Sequence, residues 1–191
     1  LEANIISFTA YTSYFDKAIS RNVLRELQPI ELRDAVFDFQ EVVQNDLERS
    51  DILLEKPIFN EFDLFTTPMH PSEWASILFN FYTNSKKAIR RKGVKGKLLI
   101  ECGKENGKIY LQFSDNGDGI PQQNEEHIFD AFFTTASAAG HNASDAETLT
   151  GTGLGLKIVK DIIESYGGSV YVTTPETGFS TTIRVEVPEK E

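Results

Sequence analysis

Glycine is spread unevenly along this 191-residue chain, and that imbalance constrains it more than any other feature. Eight of the 13 glycines (117, 119, 140, 151, 153, 155, 167 and 168) fall between positions 115 and 168. Glycine permits sharp turns and lets a ligand meet the main chain without a Cβ in the way. The chemistry is therefore expected in this stretch. One segment, Asp115-Asn116-Gly117-Asp118-Gly119-Ile120-Pro121, directly follows a run that alternates like a strand. A carboxylate at a strand end, beside two glycines, suits a flat ligand bearing an exocyclic amine. A calcium-type acidic turn or a plain loop is the alternative at this point. A second segment, Gly151-Thr152-Gly153-Leu154-Gly155-Leu156, runs into a helical pattern. Free N–H groups at a helix start make a ready anion site. The spacing is GxGxG, so it is neither a P-loop nor a dinucleotide fingerprint.

The surrounding pattern sets the fold class. Residues 1–27 lack glycine and proline, and Leu1, Ile5, Phe8, Phe15, Ile19, Val23 and Leu27 recur near helical spacing. An amphipathic helix is expected there, ended by Pro29 and packed either on its own domain or on a second helix. Residues 33–49 put Val36, Phe39, Val43 and Leu47 on one helical face. Strands are expected at 52–59, with Pro57 marking an edge or an early end, and at 62–66. Residues 71–92 read as a helix that begins at Pro71 and buries Trp74, Ile77, Leu78, Phe81 and Ala88. Strands 97–103 and 108–115 flank a glycine-bearing turn, which is a hairpin signal. Residues 116–150 read as loop with a short helical stretch near 125–131. A helix over 153–166 is expected to turn Ile158, Val159, Ile162 and Tyr166 inward. A last hairpin pairs Val170 and Val172 with Ile183, Val185 and Val187. This order predicts an α+β fold: a two-layer α/β sandwich with a mixed, largely antiparallel sheet covered on one face by helices, preceded by an N-terminal helix.

A third chemical element lies on the 71–92 helix. Asn80, Asn84 and Lys87 stand at i, i+4 and i+7, on one face and off the apolar stripe. A carboxamide oxygen suits Mg²⁺, and a lysine one turn on suits a phosphate. The surrounding basic run (86, 87, 90, 91, 92, 95, 97) reads as a solvated helix end.

Composition removes other classes. The net charge is −10, from 29 acids and 19 bases, which argues against a nucleic-acid binder. The single cysteine, Cys102, and three histidines, His70, His127 and His141, leave no intrachain disulfide and no histidine-rich metal site. No apolar run approaches the ~20 residues of a membrane span. The chain opens at Leu1 and its one methionine is Met69, so a piece of a longer protein is expected.

Together the three elements resemble, in order and context, the ATP-binding domain of the GHKL superfamily, and within it the catalytic domain of sensor histidine kinases. His70-Pro71-Ser72-Glu73 with Asn80-Phe81-Tyr82-Thr83-Asn84-Ser85-Lys86-Lys87-Ala88 is similar to the N box. Asp115 to Pro121 is similar to the first glycine box, Ile128 to Thr135 to the F box, and Gly151 to Leu156 to the second glycine box. The resemblance covers about residues 30–188. It implies a Bergerat-type fold and a domain at 28–191 with an ATP lid at 122–150. It makes 1–27 the second helix of a dimerisation and phosphoacceptor unit. It implies that Asn84 holds Mg²⁺, that Lys87 contacts phosphate and that Asn80 and Lys87 serve the transfer. Asp115 reads the adenine amine, with Gly117, Gly119 and Ile120 lining the pocket. Gly151, Thr152, Gly153, Leu154 and Gly155 bring backbone to the phosphates. Phe132 anchors the lid, and Thr182 stands near the adenine. The implied ligands are ATP and Mg²⁺. The implied partners are a response regulator receiver domain and a second copy, met through the helical unit. The domain is expected to be cytoplasmic, in a parent protein either free or membrane-anchored.

Hydrolysing members of the superfamily usually have a glutamate four residues before the magnesium asparagine. Here that position is Asn80, which takes up no proton at neutral pH. This favours phosphoryl transfer over hydrolysis. No histidine occurs in residues 1–69, so the phosphoacceptor is expected outside this chain. The competing readings are a superfamily ATPase that drives other domains and an ATP-gated regulatory module.

Overall fold

The computed structural model describes residues 26–133 and 153–190. Its elements run β1 (Gln28–Glu31), α1 (Leu32–Arg49), β2 (Ile52–Leu54), β3 (Ile58–Phe59), β4 (Phe65–Met69), α2 (Pro71–Lys92), β5 (Gly96–Glu105), β6 (Lys108–Asp115), α3 (Gly155–Ser165), β7 (Ser169–Thr173) and β8 (Thr181–Pro188). Of two 3₁₀ turns, Gln122–Asn124 and His127–Phe129, the second stands where a short helical stretch is expected. The expected helix 1–27 lies, up to residue 25, outside the described residues. Beyond it, Pro29 sits inside β1 rather than at a helix end.

The main sheet has the order β2-β5-β6-β8-β7, and β3 also pairs with β5. Its β5–β6, β6–β8 and β7–β8 ladders are antiparallel, whereas β2 and β3 run parallel to β5. The sheet is thus mixed and largely antiparallel, as the pattern predicts. The expected single strand 52–59 is interrupted. Leu54 pairs with Leu98 but Ile58 pairs with Glu101, so four residues on one side span three on the other. Pro57 lies in that offset, and its missing N–H explains the break. Asn106 (φ 52°) and Gly107 (φ 74°) close the β5–β6 hairpin with the left-handed pair that two-residue turns require. The strand expected at 62–66 forms instead at 65–69. It pairs antiparallel with β1 in a separate two-stranded sheet.

One face of the main sheet carries the core. Leu111, Phe113, Ile183, Val185 and Val187 meet Val36 and Phe39 of α1, Ile77, Leu78 and Phe81 of α2, and Val159 and Ile163 of α3. Phe39 and Phe81 both pack against the Phe113 ring, at 6.3 and 5.7 Å between centroids. Fully burying each such side chain contributes about 1.5–3 kcal/mol. In α3 one expectation fails: Ile158 is 44% exposed, while Val159 and Ile163 are fully buried. The opposite face is polar, with the Arg184 guanidinium 4.0 Å from the Tyr110 ring. Among the described residues no helix is long and apolar enough to cross a membrane.

Candidate functional site

Helix α2 organises the site. Pro71 occupies its first turn, and His70 N–H donates to Glu73 Oε2 at 3.1 Å. Tyr166, just past α3, also hydrogen-bonds Glu73, and burial together with that carboxylate pushes its phenol up to about 12. Glu73 therefore closes the first turn of α2. It stands about 10 Å along the axis from Asn80, and its carboxylate is engaged there.

Two glycines dock on α2 from opposite ends. A Cβ on Gly155 would lie 2.5 Å from Asn80 Oδ1, and one on Gly117 would lie 2.6 Å from Ala88 Cβ and 2.8 Å from the Ala88 carbonyl carbon. The two contacts are eight residues apart on the helix, about 12 Å. Asn84 stands midway on the same face. It is half-buried, and its carboxamide makes no hydrogen bond among the described residues. Asn80 Nδ2 donates to Ser76 O at 2.9 Å. Lys87 is half-buried, and burial, aided by the nearby Arg91 charge, lowers its pKa.

At the Gly117 end stands Asp115, only 4% exposed at the end of β6. Ser85 Oγ donates to its Oδ2 at 2.8 Å, and Gly117 N–H donates to its Oδ1 at 2.8 Å. Burial raises its carboxyl pKa above the ordinary aspartate value, while these two donors pull it back. Among the described residues its remaining lone pairs have no further partner. Ile120 packs partly against the core, and Gly119 takes φ 81°. A cavity of about 410 Å³ adjoins this end, lined by Ile120, Glu125, Val172, Thr173, Thr174, Pro175, Ser180 and Thr181.

The structure corrects one residue here. Thr182 pairs with Ser114, and their hydroxyls meet at 2.8 Å. Opposed residues of a ladder point to the same face and successive residues alternate. Asp115 and its opposite, Thr181, share the helix-covered face, so Thr182 points to the other. Thr181 is the threonine beside the carboxylate, and it also lines the cavity. The inward set Ile183, Val185 and Val187 carries that signal already, because 181 shares its parity. Ser85 was also missed, although a hydroxyl within the buried stripe of α2 marks it.

At the Gly155 end, Gly153 (φ 69°) meets Phe132 main chain to main chain. Phe132 N–H donates to Gly153 O at 3.0 Å, and a Cβ on Gly153 would lie 2.6 Å from the Phe132 carbonyl carbon. Phe132 itself has φ 64° and a side chain 75% exposed, so its backbone makes the contact and its ring does not. Leu154 caps α3. Gly151 and Thr152, and the expected lid from 134 to 150, lie outside the described residues.

The basic run proves mostly paired within the molecule. Lys86 bonds Asp46, Arg91 bonds Asp118, Lys95 bonds Asp51 and Lys97 bonds Glu55. Lys92 Nζ donates to Asn116 O at 2.9 Å and to Ser180 Oγ at 3.0 Å. Among the described residues no three His, Cys, Asp or Glu converge to hold a metal ion.

Residues 69–191 match the family described as histidine kinase-, DNA gyrase B-, and HSP90-like ATPase. The sensor histidine kinase ZraS of Salmonella typhi is 32% identical over 152 residues, which are 78% of this chain and 29% of that protein. The chain thus spans under a third of the length of that relative. The solved catalytic domain of the histidine kinase ThkA superposes with a TM-score of 0.68 at 25% identity, covering 86% of this chain and 97% of that one. The structure of ThkA in complex with the response regulator protein TrrA superposes at 0.65 and 19% identity, covering 98% of this chain and 49% of that one.

Proposed function

The chain belongs to the histidine kinase-, DNA gyrase B-, and HSP90-like ATPase family and has the ATP-binding catalytic domain of sensor histidine kinases, and we propose that it binds Mg²⁺–ATP along one face of α2 and presents the γ-phosphoryl group to a histidine outside these 191 residues. The observation that carries this reading is the placement of Asn84 midway between Gly117 and Gly155. A base held at Asp115 and phosphates held at the start of α3 would set the phosphates over Asn84 and Lys87, where Asn84 would hold the ion.

The residues fit each part of that ligand. Asp115 accepts from the adenine amine, and Ile120 and Thr181 border the base. The main chain of 153–155 opens N–H groups to the phosphates at the α3 start. Asn84 offers one neutral oxygen, which fits Mg²⁺ when phosphate oxygens and water supply the other positions. When bound, the ion would neutralise charge on the phosphates. Lys87 adds one cation, and its burial keeps that charge poorly solvated and available to a phosphate. In the transfer, the bond from γ-phosphorus to the β,γ-bridging oxygen breaks, a bond to an imidazole nitrogen forms, and ADP leaves.

Asn80 and Glu73 support transfer over hydrolysis. Asn80 takes up no proton, and Glu73 is held by His70 N–H and Tyr166. The downstream partner in this reading is a response regulator receiver domain, the kind of partner named for ThkA. The parent protein would pair with a second copy through a helical unit, with this domain in the cytoplasm.

Calorimetric titration of the chain with AMP-PNP, with and without Mg²⁺, tests the reading. Wild type should bind more tightly with Mg²⁺, and Asn84→Ala should abolish that difference while adenosine still binds. An Mg²⁺-independent wild type, or an unchanged Asn84→Ala, overturns the metal assignment. Brisk steady-state ATP hydrolysis by this chain overturns the transfer reading.

A further inference from the structure

We propose that Arg91 and Asp118 form a clamp that positions the base-reading loop against α2, an inference that rests on the nucleotide reading above. Arg91 Nε donates to Asp118 Oδ2 at 2.7 Å and Nη2 to Oδ1 at 3.0 Å. This is the parallel two-bond geometry that fixes a carboxylate in orientation as well as position. Asp118 lies between Gly117 and Gly119, in a segment without regular structure. Gly117 is the residue whose N–H holds Asp115 Oδ1. Fixing Asp118 therefore fixes the peptide that aims the buried carboxylate.

The rest of the loop is tied to the same helix end. Lys92 Nζ holds Asn116 O and Ser180 Oγ, while Asn116 Oδ1 accepts from Lys97 N–H at 2.7 Å and Asn116 Nδ2 donates to Lys95 O at 2.9 Å. Among these ties only Arg91–Asp118 grips the residue between the two glycines. Both side chains are about one-third exposed, so the pair contributes little to folding and its loss leaves the fold intact. Its effect is on the conformational freedom of a glycine-flanked loop that must be ordered when the base binds.

Arg91 also stands one turn beyond Lys87, so direct contact with a phosphate is the competing role. Titration of the chain with adenosine, ADP and AMP-PNP plus Mg²⁺ separates the two. The variants are Arg91→Ala, Asp118→Ala and the exchange Arg91→Asp with Asp118→Arg, with thermal melts as the folding control. Each single variant should weaken all three ligands by a similar factor, about fivefold, and the exchange should recover much of it. A loss confined to ADP and AMP-PNP without recovery in the exchange overturns the clamp and assigns Arg91 to phosphate. Unchanged affinities also overturn it. If wild type binds no adenine ligand, the nucleotide reading itself fails, a result distinct from either.

Discussion

The two ends of the α2 site face are built on opposite plans. At the Gly117 end a buried carboxylate is aimed by a serine hydroxyl, a main-chain N–H and an arginine-held loop. At the Gly155 end the described residues meet main chain to main chain, at Gly153 and Phe132, with one carboxamide, Asn80, laid against Gly155. The difference follows from what each end would hold. A flat, neutral base is recognised by the direction of a few hydrogen bonds, so its partners must be rigid and desolvated. A polyanion is recognised by the density of N–H groups, so side chains are excluded from its path.

The largest effects should come from closing the gaps that glycine leaves. Gly117→Ala puts a methyl group 2.6–2.8 Å from Ala88 Cβ and backbone, and neither contact can rotate away. We expect a loss of about 1–3 kcal/mol in stability, together with loss of adenosine binding. At Gly155 the obstacle is the Asn80 carboxamide, which can swing aside at a cost of about 0.5–1.5 kcal/mol. Gly155→Ala should therefore be milder, and Asn80→Ala should relieve it. Chemical denaturation of the four proteins checks this. Equal losses at both glycines would erase the contrast between the fixed obstacle at Gly117 and the movable one at Gly155.

Asp115→Asn sharpens the contrast chemically. The base end should lose about 1.5–3 kcal/mol of affinity, because a hydrogen bond to a buried charge is removed. Adenosine and AMP-PNP should suffer alike. The pH dependence has a defined sign. Burial raises the carboxyl pKa in the folded chain, so the folded state binds this proton more tightly than the unfolded state does. Stability then falls as pH rises from the ordinary aspartate value through the raised one. Above the raised pKa the ionised group costs stability, and there Asp115→Asn should melt no lower than wild type while binding worse. Affinity for adenosine should weaken as pH drops through the raised pKa, and Asp115→Asn should flatten that profile. A variant that binds normally would remove Asp115 from the site.

Much of this was legible in the sequence. The glycine clustering marked the two segments that meet α2 at Ala88 and Asn80, and the helical spacing of Asn80, Asn84 and Lys87 put them on one face of α2. The strand alternation gave the antiparallel β5–β6–β8 ladder. What was not legible depended on phase or on distant partners. In α3, Ile158-Val159 and Ile162-Ile163 form two adjacent apolar stripes, and only packing on the sheet selects Val159 and Ile163. In the strand at 52–59 Pro57 signals the break, since it offers no N–H to the β5 ladder, but not that pairing resumes at Ile58. The basic run is mostly exposed, as its pattern suggests, but its acid partners, Asp46, Asp51, Glu55 and Asp118, lie far away in sequence. The choice of Thr181 over Thr182, by contrast, is readable from the parity of Ile183, Val185 and Val187.

Those threonines supply the finest test of the comparison, because adjacent residues of one strand fall on opposite faces. Thr181 faces the Asp115 side and lines the cavity. Thr181→Val keeps the shape, removes one hydroxyl and should weaken adenosine by about fivefold, the value of a neutral hydrogen bond of about 1 kcal/mol. Thr182→Val removes the partner of the buried Ser114 hydroxyl on the far face. It should cost about 1 kcal/mol of stability and leave the affinity unchanged. The double change of Ser114→Ala with Thr182→Val should recover part of that stability, because neither polar group is then left unpaired. If Thr182→Val weakens adenosine and Thr181→Val does not, the ladder register places the base on the wrong face of β8, and the base end of the site must be redrawn around Ser114.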